Sequence, residues 1–312
     1  MKVILYYRYG ALRELRLAEI RAPGAPEGRV LVRVTHAALN PKDVVVRRGK
    51  FRIVSGRRFP KQCGADLAGV VVESRSPRFS EGERVFGFLD EWTFQRGTLA
   101  EVVACRAREL APIPDGVSNA DAAGIALAGS TALQALRDVA RVRPGARVLV
   151  NGASGGVGTA AIQIARLLRC EVHSVSSAAN ESLCSDLGAH QAWSYPENGW
   201  TRRGPFDVIF DVFGNLAFAD VRRHLQRNGR FVSTVPTPAR LMRNWTSRAS
   251  SQEERLVIVR PRRDDLTLLA TWIAAGSLRT VIDSRFALSS FGEAFARLES
   301  KRARGKIIVD VA

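Results

Sequence analysis

Short apolar runs separated by glycine, proline and charged turns fill the first third of the chain. Residues 3–7, 30–35, 69–73, 83–88 and 99–103 each read as strands, and together they predict a mostly β domain. From about Asp121 the period changes, and helix-like and strand-like stretches alternate. The pattern predicts a helix over 122–139, a strand at 148–150, a helix from Thr159, a strand at 171–175 and a helix over 181–187. It continues with a strand at 207–211, a helix over 218–225 and strands at 229–234 and 256–259. Such alternation specifies an α/β unit with a doubly wound parallel sheet, taken here as six-stranded. A helix over 265–275, a strand-like pair at 281–282 and a strand over 306–311 complete the chain, and the tail is expected to return to the first domain. The polar, arginine-rich stretch 236–254 reads as a mobile loop.

One stretch carries chemistry on its face. The apolar run Val148-Leu149-Val150 suits a buried parallel strand, and a turn spaced Gly152-x-x-Gly155-x-x-Gly158 follows it, then a helix of small residues. Glycines there let backbone approach an anion closely, while the unsatisfied amides of the helix start, Ser154, Gly155, Gly156 and Val157, favour a pyrophosphate. The spacing departs from the common dinucleotide pattern, so the strand before it and the helix after it do most of the identifying. A glycine loop that binds nothing is the competing reading.

The length of 312 residues points to two domains sharing a cleft. With 46% hydrophobic and 25% charged residues the composition is that of a soluble globular protein. No apolar run has the length of a membrane span and no secretory pattern opens the chain, so a cytoplasmic protein with no membrane partner is expected. Cys63, Cys105, Cys170 and Cys184 form no paired motif and are read as reduced thiols. The net charge of +17 raises the question of a polyanionic partner. The arginines are spread along the chain in pairs such as Arg47-Arg48, Arg57-Arg58, Arg202-Arg203 and Arg222-Arg223 and form no aromatic-interleaved stripe, so a solvated surface is favoured over a specific nucleic-acid site. His36, His173, His190 and His224 have no spacing that suggests a metal or a triad.

With these pieces in place the chain resembles the medium-chain dehydrogenase/reductase superfamily, in its zinc-free quinone oxidoreductase and enoyl reductase branch. The resemblance rests on Ala38-Leu-Asn-Pro-Lys-Asp43, Cys63-Gly-Ala-Asp-Leu-Ala-Gly-Val-Val71, Gly82-Glu-Arg-Val-Phe-Gly87, Gly97-Thr-Leu-Ala-Glu101, Ala128-Gly-Ser-Thr-Ala132, the glycine turn and Arg304-Gly-Lys306. It implies a GroES-like catalytic domain from residues 1–120 plus 280–312, a Rossmann domain over 121–279, and a homodimer through the Rossmann sheets. Zinc-dependent relatives need Cys, His and Glu ligands. Asn40 stands where a ligand cysteine would be and Gly64-Ala65-Asp66 replaces the Gly-His-Glu stretch, so no metal is expected.

Cofactor choice turns on the residues after the second Rossmann strand, Ser176-Ser177-Ala178-Ala179-Asn180, where a carboxylate would hold the ribose of NAD. None is present and hydroxyls are available, which favours NADPH. The resemblance places Ser176, Ser177 and Tyr195 near the adenosine phosphate, Thr131 at the nicotinamide phosphate, Phe213 and Val235 along the nicotinamide pocket, and Lys306 among the cofactor contacts. It places Asn40, Lys42 and Asp43 at the reacting centre, with Asn40 orienting cofactor or substrate and Lys42 donating to a developing enolate. The implied activity is zinc-independent reduction of quinones or of the C=C bond of α,β-unsaturated carbonyls, small molecules in either case. The alternative is a nucleotide-sensing protein whose basic surface engages RNA or anionic membrane, with little or no catalysis.

Overall fold

The computed structural model describes residues 1–195, 199–247 and 250–311. Two compact units emerge: Met1–Leu127 together with Arg260–Ala312, and Ala128–Val259.

The first unit is built mainly on antiparallel strands, with the last two strands of the chain paired in parallel. β1 (Lys2–Tyr6), β2 (Arg16–Glu19) and β4 (Lys61–Gln62) form a small sheet ordered β2-β1-β4. The larger sheet runs β15 (Ile282–Ala287), β16 (Lys306–Asp310), β3 (Arg29–Ala38), β5 (Asp66–Ser74), β6 (Arg84–Phe88) and β8 (Leu110–Pro112), with β7 (Val102–Arg106) also paired to β3. Alternation explains the core: Val30, Val32 and Val34 of β3 point inward with Leu67, Val71, Val85, Ile307 and Val309. Register matters more than shape here. Ala38 at the end of β3 lies opposite both Asp66, the first residue of β5, and Ile308 of β16. Three distant segments are thereby brought together at one end of neighbouring interior strands.

The second unit holds a parallel sheet of β9 (Arg147–Asn151), β10 (Glu171–Ser176), β11 (Gln191–Ser194), β12 (Phe206–Asp211), β13 (Leu225–Ser233) and β14 (Glu253–Leu256). Its order, β11-β10-β9-β12-β13-β14, is that of a Rossmann sheet, whose switch point lies at the carboxyl end of β9. A helix, Gly156–Leu167, follows the glycine turn and buries its small-residue face.

Several sequence expectations shift. The helix predicted over 122–139 is an α-helix over Asn119–Leu133 that continues as π-helix over Gln134–Ala140. The strand β11 was absent from the pattern, and the sixth strand lies at Glu253–Leu256 rather than 256–259. The stretch read as a mobile loop carries a helix, Pro238–Thr246, opened by a Thr237 hydroxyl that accepts the Arg240 amide and by a proline in its first turn; residues 248 and 249 lie outside the described residues. Arg263–Ala274, expected in the nucleotide-binding unit, belongs to the first unit and packs against β8, so that unit begins again at Arg260 rather than at 280. No helix among the described residues is long and apolar enough to cross a membrane.

Candidate functional site

The β3, β5 and β16 register just described brings Asn40, Asp66 and Lys306 together in the first unit. The Lys306 ammonium donates to Asn40 Oδ1 (2.7 Å) and to Asp66 Oδ2 (2.9 Å), and Asn40 Nδ2 donates to the same Asp66 oxygen (2.9 Å) and to the Ala38 carbonyl (3.3 Å). Asp66 Oδ1 accepts the Leu127 amide at 2.8 Å. All three side chains are buried. Both amide hydrogens of Asn40 are committed inside the fold, an arrangement that fixes its orientation and leaves no donor over. Asp66 is the participant that sequence reasoning passed over. Its partner lies 240 residues away, and only its place in the Gly64-Ala65-Asp66 motif marked it.

Asp43 is buried one helical turn on, in the helix Pro41–Arg47, where its carboxylate accepts the backbone amides of Asn40 (2.8 Å) and Gly64 (3.3 Å). Burial outweighs those donors and pushes its pKa up to about 6. The native state therefore holds a proton that the unfolded chain has already released above its ordinary value of 3.8. Folding stability is expected to fall as pH rises from about 4 to about 6, by on the order of 3 kcal/mol. Urea titrations across that window should show the slope in the wild type and its loss in Asp43→Asn.

Lys42 points elsewhere. Its ammonium donates to the Glu91 carbonyl (3.3 Å) and lies 4.8 Å from the Trp92 ring centre and 5.1 Å from that of Phe94. Burial lowers its pKa, against the pull of nearby Asp43, Asp90 and Glu91. The result is a partly desolvated cation in an aromatic corner with donor capacity to spare.

In the second unit the glycine turn sits on the carboxyl end of β9. Gly152 has φ +80°, and a Cβ at Gly158 would stand 2.3 Å from the Gly152 carbonyl oxygen, so the helix can approach the turn only with glycine there. Gly155 differs. A Cβ on it would meet nothing nearer than 3.7 Å, leaving open space above the first turn of the helix, as a pyrophosphate cradle requires. Val157 is half-buried on that turn, and Ser154 accepts a hydrogen bond from Asn180 Nδ2 at 3.0 Å. Alanine at Gly155 should leave the unfolding midpoint within a degree or two and weaken dinucleotide binding at least tenfold. Alanine at Gly158 should cost about 1–3 kcal/mol by overpacking backbone atoms. Thermal melts and a fluorescence titration of the two variants separate these outcomes.

At the end of β10, the Ser176 hydroxyl is buried, donates to the Ser177 carbonyl (3.1 Å) and accepts the Cys184 thiol (3.7 Å). Ser177 is half-buried, and Tyr195, 39% exposed, is tied alongside by its amide to the Ser176 carbonyl (3.0 Å). Thr131 is buried beside Ser130. Phe213 is 50% exposed, and next to it Gly214, at φ +84°, lies so close to Val235 that a Cβ would stand 2.4 Å from its side chain.

A residue that the sequence did not single out holds this region. The guanidinium of Arg240, almost fully buried, donates to Ser233 Oγ (2.9 Å), the Val235 carbonyl (3.2 Å), the Leu216 carbonyl (2.6 Å) and Asp211 Oδ2 (3.3 Å), and pairs with Glu254 at 3.6 Å. It joins the loops after β12 and β13. Asp211 also accepts Asn151 Nδ2 (2.8 Å) and the amides of Gly214 and Leu216, while burial, the larger effect, raises its pKa. Among so many arginines nothing in the sequence distinguished this one.

Comparison with known proteins places these features. Residues 26–115 match the alcohol dehydrogenase GroES-like domain family and residues 187–309 match the zinc-binding dehydrogenase family. The chain is 29% identical to the chloroplast envelope quinone oxidoreductase homolog of Arabidopsis thaliana, over 99% of this chain and 98% of that protein. It is 32% identical to the chloroplastic NADPH-dependent alkenal/one oxidoreductase of the same plant, over 99% of this chain and 79% of that protein. The structure of the quinone oxidoreductase from Coxiella burnetii superposes with a TM-score of 0.92 at 27% identity, covering 100% of this chain and 99% of that one. Against the family name, no three His, Cys, Asp or Glu side chains among the described residues stand together as a metal site, and the ammonium of Lys306 lies between Asn40 and Asp66.

Proposed function

Since this chain belongs to the medium-chain dehydrogenase/reductase superfamily, in its zinc-independent quinone oxidoreductase branch, we propose that it reduces quinones or the C=C bond of α,β-unsaturated carbonyls with NADPH. The observation that carries the reading is the open cradle over Gly155 at the switch point of a Rossmann sheet. NADPH, when bound, supplies the hydride.

The amides of Gly156 and Val157 would receive its pyrophosphate at the positive end of the following helix, while the Gly155 amide closes the turn on the Gly152 carbonyl (3.3 Å) and its missing side chain leaves the room. Ser177 and Tyr195 would hold the adenosine phosphate, with Ser176 acting through the Ser177 carbonyl that its hydroxyl engages. Thr131 would serve the nicotinamide phosphate, and Phe213 and Val235 the nicotinamide ring. Asn40 has both amide hydrogens committed, so its part would be to set the turn between β3 and the helix of Lys42 and Asp43 rather than to touch substrate. Lys306 would act through Asn40 and Asp66. Lys42 keeps donors free and would offer one to the carbonyl oxygen as it gains charge. A homodimer belongs to the same reading: β14 ends the sheet, and Leu241, Met242 and Ile258 are exposed. Purified protein incubated with NADPH and a panel of quinones and enones should oxidise NADPH with at least one of them, whereas no oxidation with any would overturn the proposal.

A further inference from the structure

The segment between Asp43 and Asp66 contains no acidic residue, and the fold turns part of it into a distinct face. A single helical turn, Arg52–Ser55, projects from the first unit. Its base is fixed: Ser55 Oγ shares a hydrogen bond with the Tyr9 hydroxyl (2.7 Å), and the buried Lys61 ammonium donates to the carbonyls of Ser55 (2.6 Å) and Thr93 (2.7 Å). Gln95 holds the flank through the Arg58 carbonyl at 3.1 Å. Its tip is apolar. Ile53 is 95% exposed, more than any other large hydrophobic side chain among the described residues, and Val54 beside it is exposed as well.

Lys50, Arg52, Arg57 and Arg58 flank that tip along the chain, all exposed, and none of them is in an ion pair among the described residues. The neighbouring Arg47 and Arg48 are unlike them, since both are paired with Glu299. An apolar tip flanked on both sides in sequence by unpaired cations, on an anchored turn, is complementary to one kind of surface: anionic headgroups over acyl chains. Single-stranded RNA would answer the charge but would call for stacking platforms, and the tip is aliphatic. The even spread of arginine pairs in the sequence hides this, because only folding separates the paired from the unpaired.

We propose that the Lys50–Arg58 face docks peripherally on an anionic phospholipid surface, with Ile53 and Val54 reaching the headgroup–acyl boundary. The proposal is independent of the enzymatic reading.

Sedimentation of the full chain with vesicles of equal parts phosphatidylcholine and phosphatidylglycerol tests it. Wild type should pellet with these vesicles, more weakly as salt is raised, and should stay in solution with phosphatidylcholine alone. Arg57→Gln with Arg58→Gln should lower partitioning about thirtyfold. Ile53→Ser should lower it severalfold at unchanged salt dependence, whereas Arg222→Gln with Arg223→Gln, an exposed pair in the other unit, should leave it within twofold. All three proteins should keep the wild-type melting temperature, because the altered side chains are exposed. The proposal is overturned by failure of wild type to pellet, by equal losses in the two double variants, or by an Ile53→Ser protein that binds as wild type does. Stronger binding to single-stranded RNA through the same arginines would overturn it too.

Discussion

Replacing Arg240 with methionine is expected to cost the second unit about 3–5 kcal/mol and to lower its melting temperature by roughly 10 °C. The side chain is a buried cation between two buried carboxylates, Asp211 and Glu254, and it also satisfies the carbonyls of Leu216 and Val235. Methionine fills the space and offers none of these donors. Glu254 would keep Arg243 at 3.2 Å, and Asp211 would keep Asn151 and two backbone amides, so the loss comes from the missing charge and the two orphaned carbonyls. Lysine should recover the charge but not the reach, and should land between. Because Phe213 and Val235, proposed to line the nicotinamide pocket, ride on the loops that Arg240 joins, affinity for the nicotinamide cofactor should fall at least tenfold even in Arg240→Lys, below its melting temperature. Thermal melts with a cofactor titration check both halves, and a lysine variant that binds as wild type does would assign Arg240 to stability alone.

Lys306→Met is expected to have a comparable effect in the first unit. It leaves the Asp66 carboxylate buried without a cation and frees the Asn40 carbonyl oxygen, again at about 3–5 kcal/mol. Asp66→Asn in the same chain removes the stranded charge. The double variant should therefore be more stable than the sum of the single losses predicts, with a coupling of roughly 1–3 kcal/mol in a double-mutant cycle of urea titrations. Simple additivity would mean that the three groups do not act as one unit.

The sequence made the nucleotide-binding unit legible where neighbours along the chain decide the structure. β9, the glycine turn and the helix after it form one uninterrupted run, and their roles follow from local sterics and apolar pattern. β11 was missed because Gln191-Ala-Trp-Ser194 is a short edge strand, paired on one side only and half polar. The helix Pro238–Thr246 was read as a loop because its buried contact is an arginine, and a polar pattern cannot announce a burial whose acceptors come from residues 211, 216, 233 and 235. Arg263–Ala274 was recognised as a helix, but periodicity states which face is apolar and not which sheet it covers.

The candidate site divides the same way. Asn40, Lys42 and Asp43 stood out as a motif, yet their different surroundings came from register and loop packing. Asn40 is tied to a strand at the far end of the chain, and Lys42 is set against Trp92 and Phe94. Ser176 looked like a free hydroxyl until folding turned it toward the Ser177 carbonyl.

The most direct test of hydride transfer from NADPH is isotopic. With NADPH deuterated at the transferable C4 position and an enone that the protein reduces, the account predicts one deuterium at the β-carbon of the saturated product for each NADPH consumed. Folded protein that binds NADPH yet oxidises it with no quinone or enone, or a reduced product without that deuterium, would contradict it.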